Sequence, residues 1–182
     1  MTTPLPTDWI VITGPPSSGK TTLLNLLAEL GLSTSADSTR ELIAQVVADG
    51  RDAEEFRFAS DFQPRVLDAM LRAELVLDIQ RRTFLEYALP CNIAFHRTEG
   101  LALTDGLAEA ATRFRYREVF ILDPLPWQSD TERVEGEDYQ RAVHAHMYDV
   151  YTELGYTPIR LPALAPLERR AAVIERVGRD LQ

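Results

Sequence analysis

Short apolar segments alternate with longer stretches in which apolar residues recur every three or four positions along this 182-residue chain. The short segments predict strands and the longer stretches predict amphipathic helices. An alternation of strand and helix is typical of an α/β domain with a mostly parallel sheet. The five predicted strands are Trp9–Thr13, Leu32–Ala36, Cys91–Phe95, Glu118–Leu122 and Thr157–Leu161.

Capping residues and prolines mark the ends of the predicted helices. Ser38 with Glu41 three positions later is typical of a capping box, and Pro64 and Pro166 suit the first turn of a helix. Pro90 cannot continue a helix and is expected to end one. The predicted helices cover residues 20–30, 38–48, 64–89, 106–114, about 143–154, and a last segment from 166 towards the C-terminus.

The segment between the first strand and the first helix matches the phosphate-binding pattern G-x-x-x-x-G-K-[ST]. Backbone N–H groups of such a loop, with the positive end of the following helix, bind phosphate oxygens. Lys20 is expected to reach the β- and γ-phosphates, and the Thr21 hydroxyl to ligate Mg²⁺. The predicted nucleotide-binding residues are Gly14, Pro15, Pro16, Ser17, Ser18, Gly19, Lys20, Thr21 and Thr22.

Composition narrows the possible partners. The chain is 45% hydrophobic and 26% charged, which fits one globular domain over residues 1–182. Its net charge of −9 argues against nucleic acid or an anionic membrane as the main partner. Cys91 is the one cysteine, and we see no signal peptide and no apolar run long enough for a membrane span. A cytoplasmic protein is therefore expected.

Polar residues follow several predicted strands, where ligands of open α/β sheets bind. Asp37 and Arg40 follow the second strand, and Asp123 follows the fourth. His96-Arg97-Thr98-Glu99 follows the segment predicted as the third strand. These positions are candidates for contacts to substrate and metal.

Five motifs in order resemble the AAA-domain family that includes the kinase domain of NadR-type nicotinamide riboside kinases. They are GPPSSGKTTL, DSTRELI, AFHRTEG, REVFILDPLPWQSDTERVE and HMYDVYTELGYTPIRLP. The resemblance implies a three-layer P-loop fold of nucleotide-kinase type, ATP with Mg²⁺, and a short lid over about residues 124–137. It also implies that Arg133 is the lid arginine. Asp37 and Arg40 would supply an acidic-x-x-Arg motif on the substrate side, and Arg97 the arginine of an Asp-Arg-Gly motif.

The chain departs from that family pattern at two positions. Asp37 stands where Glu is usual, and His96-Arg97-Thr98 stands where Asp-Arg-Gly is usual. The second departure removes a carboxylate that would hold Mg²⁺ through water or accept a proton from the substrate. Neutral imidazole is a poor ligand for Mg²⁺, so His96 raises the question of whether the chain transfers phosphate at all.

Each candidate outside the P-loop has an ordinary alternative role. Asp123 ends an apolar strand in the manner of a Walker B acid, or it caps the following turn. Arg133 acts as an arginine finger, or is a solvated charge among acidic residues. Arg97 binds phosphate or forms an ion pair. Asp37 or Glu99 serves as general base. The alternative for Asp37 is that it caps a helix, and the alternative for Glu99 is that it is a surface charge.

The favoured hypothesis is an ATP- and Mg²⁺-dependent phosphotransferase that acts on a small, nucleoside-like hydroxyl compound. Lys20, Arg133, Arg97 and Asp37 are its predicted catalytic residues, Asp37, Arg40 and Glu99 lie on the substrate side, and Thr21 and Asp123 are the metal ligands. The first alternative is a regulatory ATP- or GTP-binding module, or a slow ATPase, without kinase activity. The second is a nucleic-acid-dependent ATPase, which the acidic charge disfavours.

Overall fold

Strand β2 (Trp9–Thr13) is the central strand of the sheet, and all five of its residues are buried. Successive side chains of a strand point to opposite faces, so Trp9 and Val11 enter one hydrophobic core while Ile10 and Ile12 enter a second. The computed structural model describes residues 3–57, 59–126 and 136–178. The P-loop begins at the residue after this strand, which is buried on both faces.

The main sheet has five parallel strands, as the sequence predicts. Their order is β3 (Ser33–Ser35), β4 (Thr83–Glu86), β2, β6 (Glu118–Leu122) and β7 (Ile159–Leu161). Val11 pairs with Leu85 on one side and with Val119 on the other, so the carboxyl ends of β2, β4 and β6 lie at one edge. Outside this sheet, β1 (Leu5–Pro6) pairs with β5 (Phe114–Arg115).

Helices cover both faces of the sheet and make the fold three-layered. Their bounds are α1 (Lys20–Ala28), α2 (Ser38–Ala48), α3 (Ala53–Arg57), α4 (Phe62–Leu75), α5 (Cys91–Glu99), α6 (Asp105–Ala111), α7 (Gly136–Glu153) and α8 (Pro166–Gly178). Helices α1 and α8 pack on one face, and α4, α5, α6 and α7 pack on the other. The predicted helix at 38–48 and the predicted helix start at Pro166 are confirmed. None of the helices in the described ranges combines the length and apolar composition that a membrane span needs.

The third predicted strand is wrong. Cys91–Phe95 belongs to helix α5, which follows Pro90. Most of these residues are buried in the core that the sheet shares with α7. A short apolar run fits a buried helix as well as a buried strand, because both lack a polar face. The third strand of the sheet to occur along the chain is β4, about eight residues earlier than predicted.

The helix predicted over residues 64–89 is correspondingly too long. Helix α4 ends at Leu75, and a turn in which the Asp78 side chain accepts from the Gln80 N–H leads into β4. Phe84 lies seven positions after Leu77, and this spacing mimics a helical stripe across the turn. Phe84 instead belongs to β4 and packs in the core beneath α1 and α8.

Candidate active site

The loop from Gly14 to Gly19 joins β2 to α1 in a conformation that depends on its glycines. Gly14 has φ +149°, and a Cβ there would lie 2.8 Å from the Leu122 carbonyl oxygen and 2.8 Å from Ser18 Oγ. Gly19 has φ +84° and is the N-cap of α1. Such torsion angles and close approaches suit glycine because it has no Cβ. The loop therefore has the tight turn onto a helix N-terminus that the sequence motif predicts.

Lys20 is buried at the start of α1, with 6% of its surface exposed. Its Nζ donates to the Pro15 carbonyl at 2.9 Å and to Ser18 Oγ at 3.4 Å, and lies 4.6 Å from the centre of the Tyr87 ring. Burial lowers the pKa of Lys20 to about 8, and the nearby Glu86 carboxylate opposes that shift. In the described ranges no carboxylate forms an ion pair with Lys20, so an anion in the loop would find a cation without a carboxylate partner.

Glu86 faces the P-loop from the last position of β4. Its Oε1 accepts from Thr21 Oγ1 at 2.7 Å, and only 7% of its surface is exposed. Burial raises the pKa of Glu86, while the Thr21 hydrogen bond and the Lys20 charge act in the opposite direction. A carboxylate at the end of the strand beside the P-loop can hold a hydrated cation or accept a proton.

Glu86 is the main residue that the sequence analysis missed. The carboxylate thought to be absent at the tip of the third strand is present, because that strand ends at Glu86 and not before His96. The signal was available in Thr83-Phe84-Leu85-Glu86, a β-branched and apolar run that ends in an acid. His96 instead lies in α5, where its Nδ1 is 3.2 Å from the Ala102 carbonyl oxygen.

Tyr87 follows Glu86 in a left-handed backbone conformation with φ +62°. A positive φ is uncommon for a residue other than glycine and costs of order 1–3 kcal/mol. The Tyr87 N–H donates to the Ile12 carbonyl at 3.3 Å, and its ring packs against Phe95 and beneath Lys20. The strained backbone therefore places an aromatic ring beside the P-loop lysine.

Asp37 and Arg40 lie near the same end of the sheet. Asp37 is the N-cap of α2, where its Oδ1 accepts from the Thr39 N–H at 2.9 Å and from the Arg40 N–H at 3.3 Å. Arg40 Nε lies 3.6 Å from Asp37 Oδ2. Both charges act on Lys20 and Glu86, which places the pair at the margin of the P-loop site.

Arg97 and Glu99 lie elsewhere, on α5. Arg97 donates to both carboxylate oxygens of Glu153 on α7, at 2.8 and 2.6 Å. Glu99 accepts from Gln63 Nε2 at 3.0 Å and from the Tyr139 hydroxyl at 3.1 Å. The structure thus joins Arg97 to α7, and Glu99 to both α4 and α7.

Asp123 follows β6, but Arg160 occupies its carboxylate. Arg160 Nε lies 2.9 Å from both oxygens and Nη2 lies 2.7 Å from Oδ2, and these hydrogen bonds lower the pKa of Asp123. His144 Nε2 lies 3.5 Å from Oδ1, and burial lowers the pKa of this histidine. A metal at Asp123 would have to compete with the Arg160 guanidinium.

Two buried side chains hold the P-loop from outside the motif. Gln140 on α7 donates to the Pro16 carbonyl at 2.9 Å and to the Leu125 carbonyl at 3.3 Å. Arg169 on α8 donates to the Ser18 carbonyl and, at 3.2 Å, to the Asp123 carbonyl. Neither residue is predicted from the sequence, because no local pattern marks a side chain that reaches a distant loop.

The predicted lid lies largely outside the described residues. Arg133, the predicted lid arginine, falls within residues 127–135. Its role stays a prediction.

Mg²⁺ would be held at this site chiefly by Thr21 and Glu86. Among the described residues no cluster of three or more His, Cys, Asp or Glu side chains could hold a metal alone. The Thr21 hydroxyl and the Glu86 carboxylate are hard oxygen ligands, and Mg²⁺ commonly combines one or two such groups with water and substrate phosphates. The residues present therefore fit this cation when a nucleotide is bound.

Solved structures of nucleoside and nucleotide kinases share this fold. NadR protein in complex with NR superposes with a TM-score of 0.70 at 19% identity, covering 94% of this chain and 50% of that one. Deoxyadenosine kinase from M. mycoides with dCMP and dCDP gives 0.67 at 14% identity, covering 94% and 99%. Thymidylate kinase from Ehrlichia chaffeensis gives 0.58 at 16%, covering 96% and 100%.

The chain spans half the length of the NadR structure, and at these identities the likeness concerns the fold. No curated protein sequence is significantly similar to the chain. The family model described as AAA domain matches residues 9–170, from the first residue of β2 into α8. With its P-loop and parallel sheet in place, the chain belongs to this AAA-domain family.

Proposed function

We propose that the chain is a phosphotransferase that binds ATP with Mg²⁺ and moves the γ-phosphate to a hydroxyl group of a small, nucleoside-like compound. The observation that carries this proposal is the pairing of the P-loop with Glu86 across two adjacent strands. Thr21, the residue after the buried Lys20, has its Oγ1 2.7 Å from Glu86 Oε1. A phosphate-binding loop beside a carboxylate unites the groups that phosphoryl transfer needs.

In this proposal the P-loop binds and orients the triphosphate. Its backbone N–H groups and Lys20 face the β- and γ-phosphates, and Lys20 gives up its bond to the Pro15 carbonyl when it does so. Thr21, with Glu86 behind it, would hold Mg²⁺, and the cation would neutralise part of the phosphate charge when bound. Because Lys20 is buried, it acts where water screens its charge poorly.

Glu86 accepts the proton of the attacking hydroxyl. The new bond forms between the acceptor oxygen and the γ-phosphorus, the bond from that phosphorus to the β-bridging oxygen breaks, and the hydroxyl proton passes to the carboxylate. Burial raises the pKa of Glu86, which makes the carboxylate a better base than an exposed one. This role replaces the general base that we predicted from the sequence at Asp37 or Glu99.

The acceptor site is proposed on the β3–α2 side of Glu86. Ser35, Ser38, Glu74, Glu86 and Tyr87 are among the residues that line a cavity of about 10 Å³ there. A wider groove of about 460 Å³ runs between α2 and α4. Asp37 and Arg40, at the start of α2, are proposed as substrate-side residues; the nucleoside and nucleotide kinases that share the fold favour an acceptor of that class.

The lid arginine completes the proposal. Arg133 would stabilise the charge that spreads over the γ-phosphate in the transition state, as an arginine finger in cis. It lies between Leu122, where β6 ends, and Gly136, where α7 begins. Both elements contact the P-loop region, β6 through Leu122 beside Gly14 and α7 through Gln140.

The test compares wild type with Glu86→Gln, which keeps the shape of the side chain and removes its charge. ATP consumption is measured with Mg²⁺ and a panel of nucleosides, nicotinamide riboside included, and ATP affinity is measured by calorimetry. We expect acceptor-stimulated turnover in the wild type and a loss of about 10²- to 10⁴-fold in the variant. The affinity for ATP measured without Mg²⁺ should change only a few-fold, because the P-loop is intact.

Asp123→Asn is the matched control for Glu86→Gln. It removes one carboxylate at the tip of the other strand beside β2, and that carboxylate is already bound by Arg160. We expect turnover within about threefold of the wild type, because Asp123 is not the proton acceptor in this proposal. Loss of a proton acceptor would instead lower turnover by about 10²- to 10⁴-fold. If Asp123→Asn lost activity and Glu86→Gln kept it, the roles of the two acids would have to be exchanged.

The regulatory alternative rested on the carboxylate thought to be missing at His96. With Glu86 in that place, this reason is gone. The same assay separates the two functions, because ATP binding with no stimulation by any acceptor would support a regulatory module or slow ATPase.

A further inference from the structure

Arg169 joins three loops at the P-loop end of the sheet. It lies in the first turn of α8 with 2% of its surface exposed. Its Nε donates to the Pro162 carbonyl at 2.7 Å, Nη2 to the Asp123 carbonyl at 3.2 Å, and Nη1 to the Ser18 carbonyl. The three carbonyls belong to the segments that follow β7, β6 and β2 respectively.

The positive charge of Arg169 is stabilised by three carbonyl oxygens and not by a paired carboxylate. No carboxylate within the described ranges lies at ion-pair distance from it, and the Asp123 carboxylate, which attracts it from further away, is bound by Arg160. Burial lowers the pKa of Arg169, and the first turn of a helix repels a cation. Hydrogen bonds to carbonyls offset only part of the cost of burying a charge, so an anion bound nearby would stabilise Arg169 further.

The hydrogen bond from Arg169 acts on the peptide unit that joins Ser18 to Gly19. In a trans peptide the C=O and N–H groups point in opposite directions, and no peptide bond in the described ranges is cis. With the Ser18 carbonyl directed at Arg169, the Gly19 N–H points away from it. A charged donor on the carbonyl also polarises the peptide and makes its N–H a stronger donor.

The fit between Arg169 and the loop is close. A Cβ on Gly19 would lie 3.3 Å from Arg169 Nη1, so the guanidinium packs directly behind the Gly19 backbone. Its charge is thus separated from a phosphate in the loop by about the thickness of one backbone segment.

We propose that Arg169 is a positioning residue of the triphosphate site: it fixes the Ser18–Gly19 peptide with its N–H towards the phosphates and adds a buried positive charge behind the loop. This inference rests on the proposed nucleotide binding. It predicts that Arg169 matters for the phosphate part of the ligand, independently of the base and sugar.

The experiment measures the affinities of wild type, Arg169→Gln and Arg169→Lys for Mg·ATP and for inorganic tripolyphosphate by calorimetry, at a temperature where thermal melts show each variant folded. We expect Arg169→Gln to lose about 10- to 100-fold affinity for both ligands, by similar factors. Arg169→Lys keeps the charge but not the fork, and should lose about 3- to 10-fold for both.

Arg176→Gln is the matched control. It removes one arginine from the same helix, whose half-exposed guanidinium pairs with the largely buried Glu118 carboxylate. In the folded variant it should change neither affinity more than about twofold, because its partner is Glu118 and not a P-loop residue. Unchanged affinities in a folded Arg169→Gln would overturn the proposal, and so would a loss confined to ATP, since that would place the effect at the nucleoside. If Arg169→Gln does not fold, the same two criteria apply to Arg169→Lys. Absence of ATP binding by the wild type would instead contradict the proposed function.

Discussion

Lys20 carries its charge in surroundings that oppose it. The Pro15 carbonyl, Ser18 Oγ and the Tyr87 ring surround its ammonium group, and burial lowers its pKa to about 8. Above that pH the free protein loses the proton, whereas a bound triphosphate favours the charged form and holds it. Nucleotide binding should therefore be coupled to protonation of Lys20.

The coupling predicts a pH-dependent affinity for Mg·ATP. As pH rises above about 8, affinity should fall by up to about tenfold per pH unit, and binding should take up a proton. Calorimetry at several pH values, in buffers of different ionisation enthalpy, measures both quantities. Lys20→Arg, which stays charged throughout, should bind with an affinity that does not vary over this window. A parallel pH dependence in that variant would assign the proton to another group.

Glu74 on α4 is another buried ionisable group, and it lines the same small cavity as Glu86 and Tyr87. Its Oε1 accepts from the Leu89 N–H at 2.9 Å, and its Oε2 lies 2.7 Å from the Tyr116 hydroxyl. Burial raises the pKa of Glu74 from its ordinary value of 4.5 to about 7. The folded protein thus keeps a proton that the unfolded chain loses at lower pH.

This difference predicts how Glu74→Gln changes stability. The wild type should lose about 3 kcal/mol of unfolding free energy as pH rises from about 4.5 to 7, and no more above that. Glutamine mimics the neutral acid and does not titrate, so Glu74→Gln should gain stability relative to wild type over the same window. Urea denaturation at about pH 5 and pH 8 checks this. Glu55→Gln, an exposed acid on α3, should show no such trend.

Helices α5 and α7 are joined by the Arg97–Glu153 ion pair at their solvent side and by the apolar core beneath it. This placement favours the ion-pair alternative for Arg97 over the catalytic role predicted from the family motif. Exposed pairs of this kind contribute 0.2 to 1 kcal/mol, roughly, because water screens them.

A double-mutant cycle on Arg97→Ala and Glu153→Ala measures that contribution. We expect a coupling energy of about 0.2–1 kcal/mol in unfolding free energy, and phosphotransfer within about twofold of wild type in all three variants. A large loss of turnover in Arg97→Ala alone, with Glu153→Ala active, would return Arg97 to the catalytic set.

At the level of the complete fold, the P-loop is attached to both hydrophobic cores. It leaves β2, which supplies side chains to each core, and it enters α1, whose leucines fill one of them. Gln140 and Arg169 tie it to the helices of the two opposite faces. A ligand bound at the loop should therefore stabilise the protein against global unfolding, and not only against local opening of the loop.

Thermal unfolding tests this linkage. Mg·ATP at about 100 times its Kd should stabilise the folded state by about 2.7 kcal/mol, which raises Tm by about 5–10 °C for a chain of this size. Lys20→Ala should lose most of the shift, whereas Arg176→Gln should keep it. An equal shift in Lys20→Ala would mean that ATP binds away from the P-loop.

Local patterns were enough to predict the α/β class, the parallel sheet, the P-loop and most helix starts. Each depends on residues close together in the chain. Examples are the two glycines that precede Lys20, the helix cap at Asp37, and the apolar run from Trp9 to Ile12. The third strand was wrong for a related reason, since Cys91–Phe95 and Thr83–Glu86 are both short apolar runs whose local patterns fit either element.

Contacts between distant segments decided the rest. Whether Glu86 or His96 meets the P-loop depends on which segment pairs with β2, and the β2–β4 pairing brings Glu86 to Thr21, 65 residues away in the chain. Arg160 forms an ion pair with Asp123, and Glu153 forms one with Arg97. Arg169 donates to the Ser18 carbonyl, 151 residues away in the chain. A side chain's partner follows from packing in three dimensions, where burial and charge are set together, so residue type and spacing could name the P-loop but not the groups that surround it.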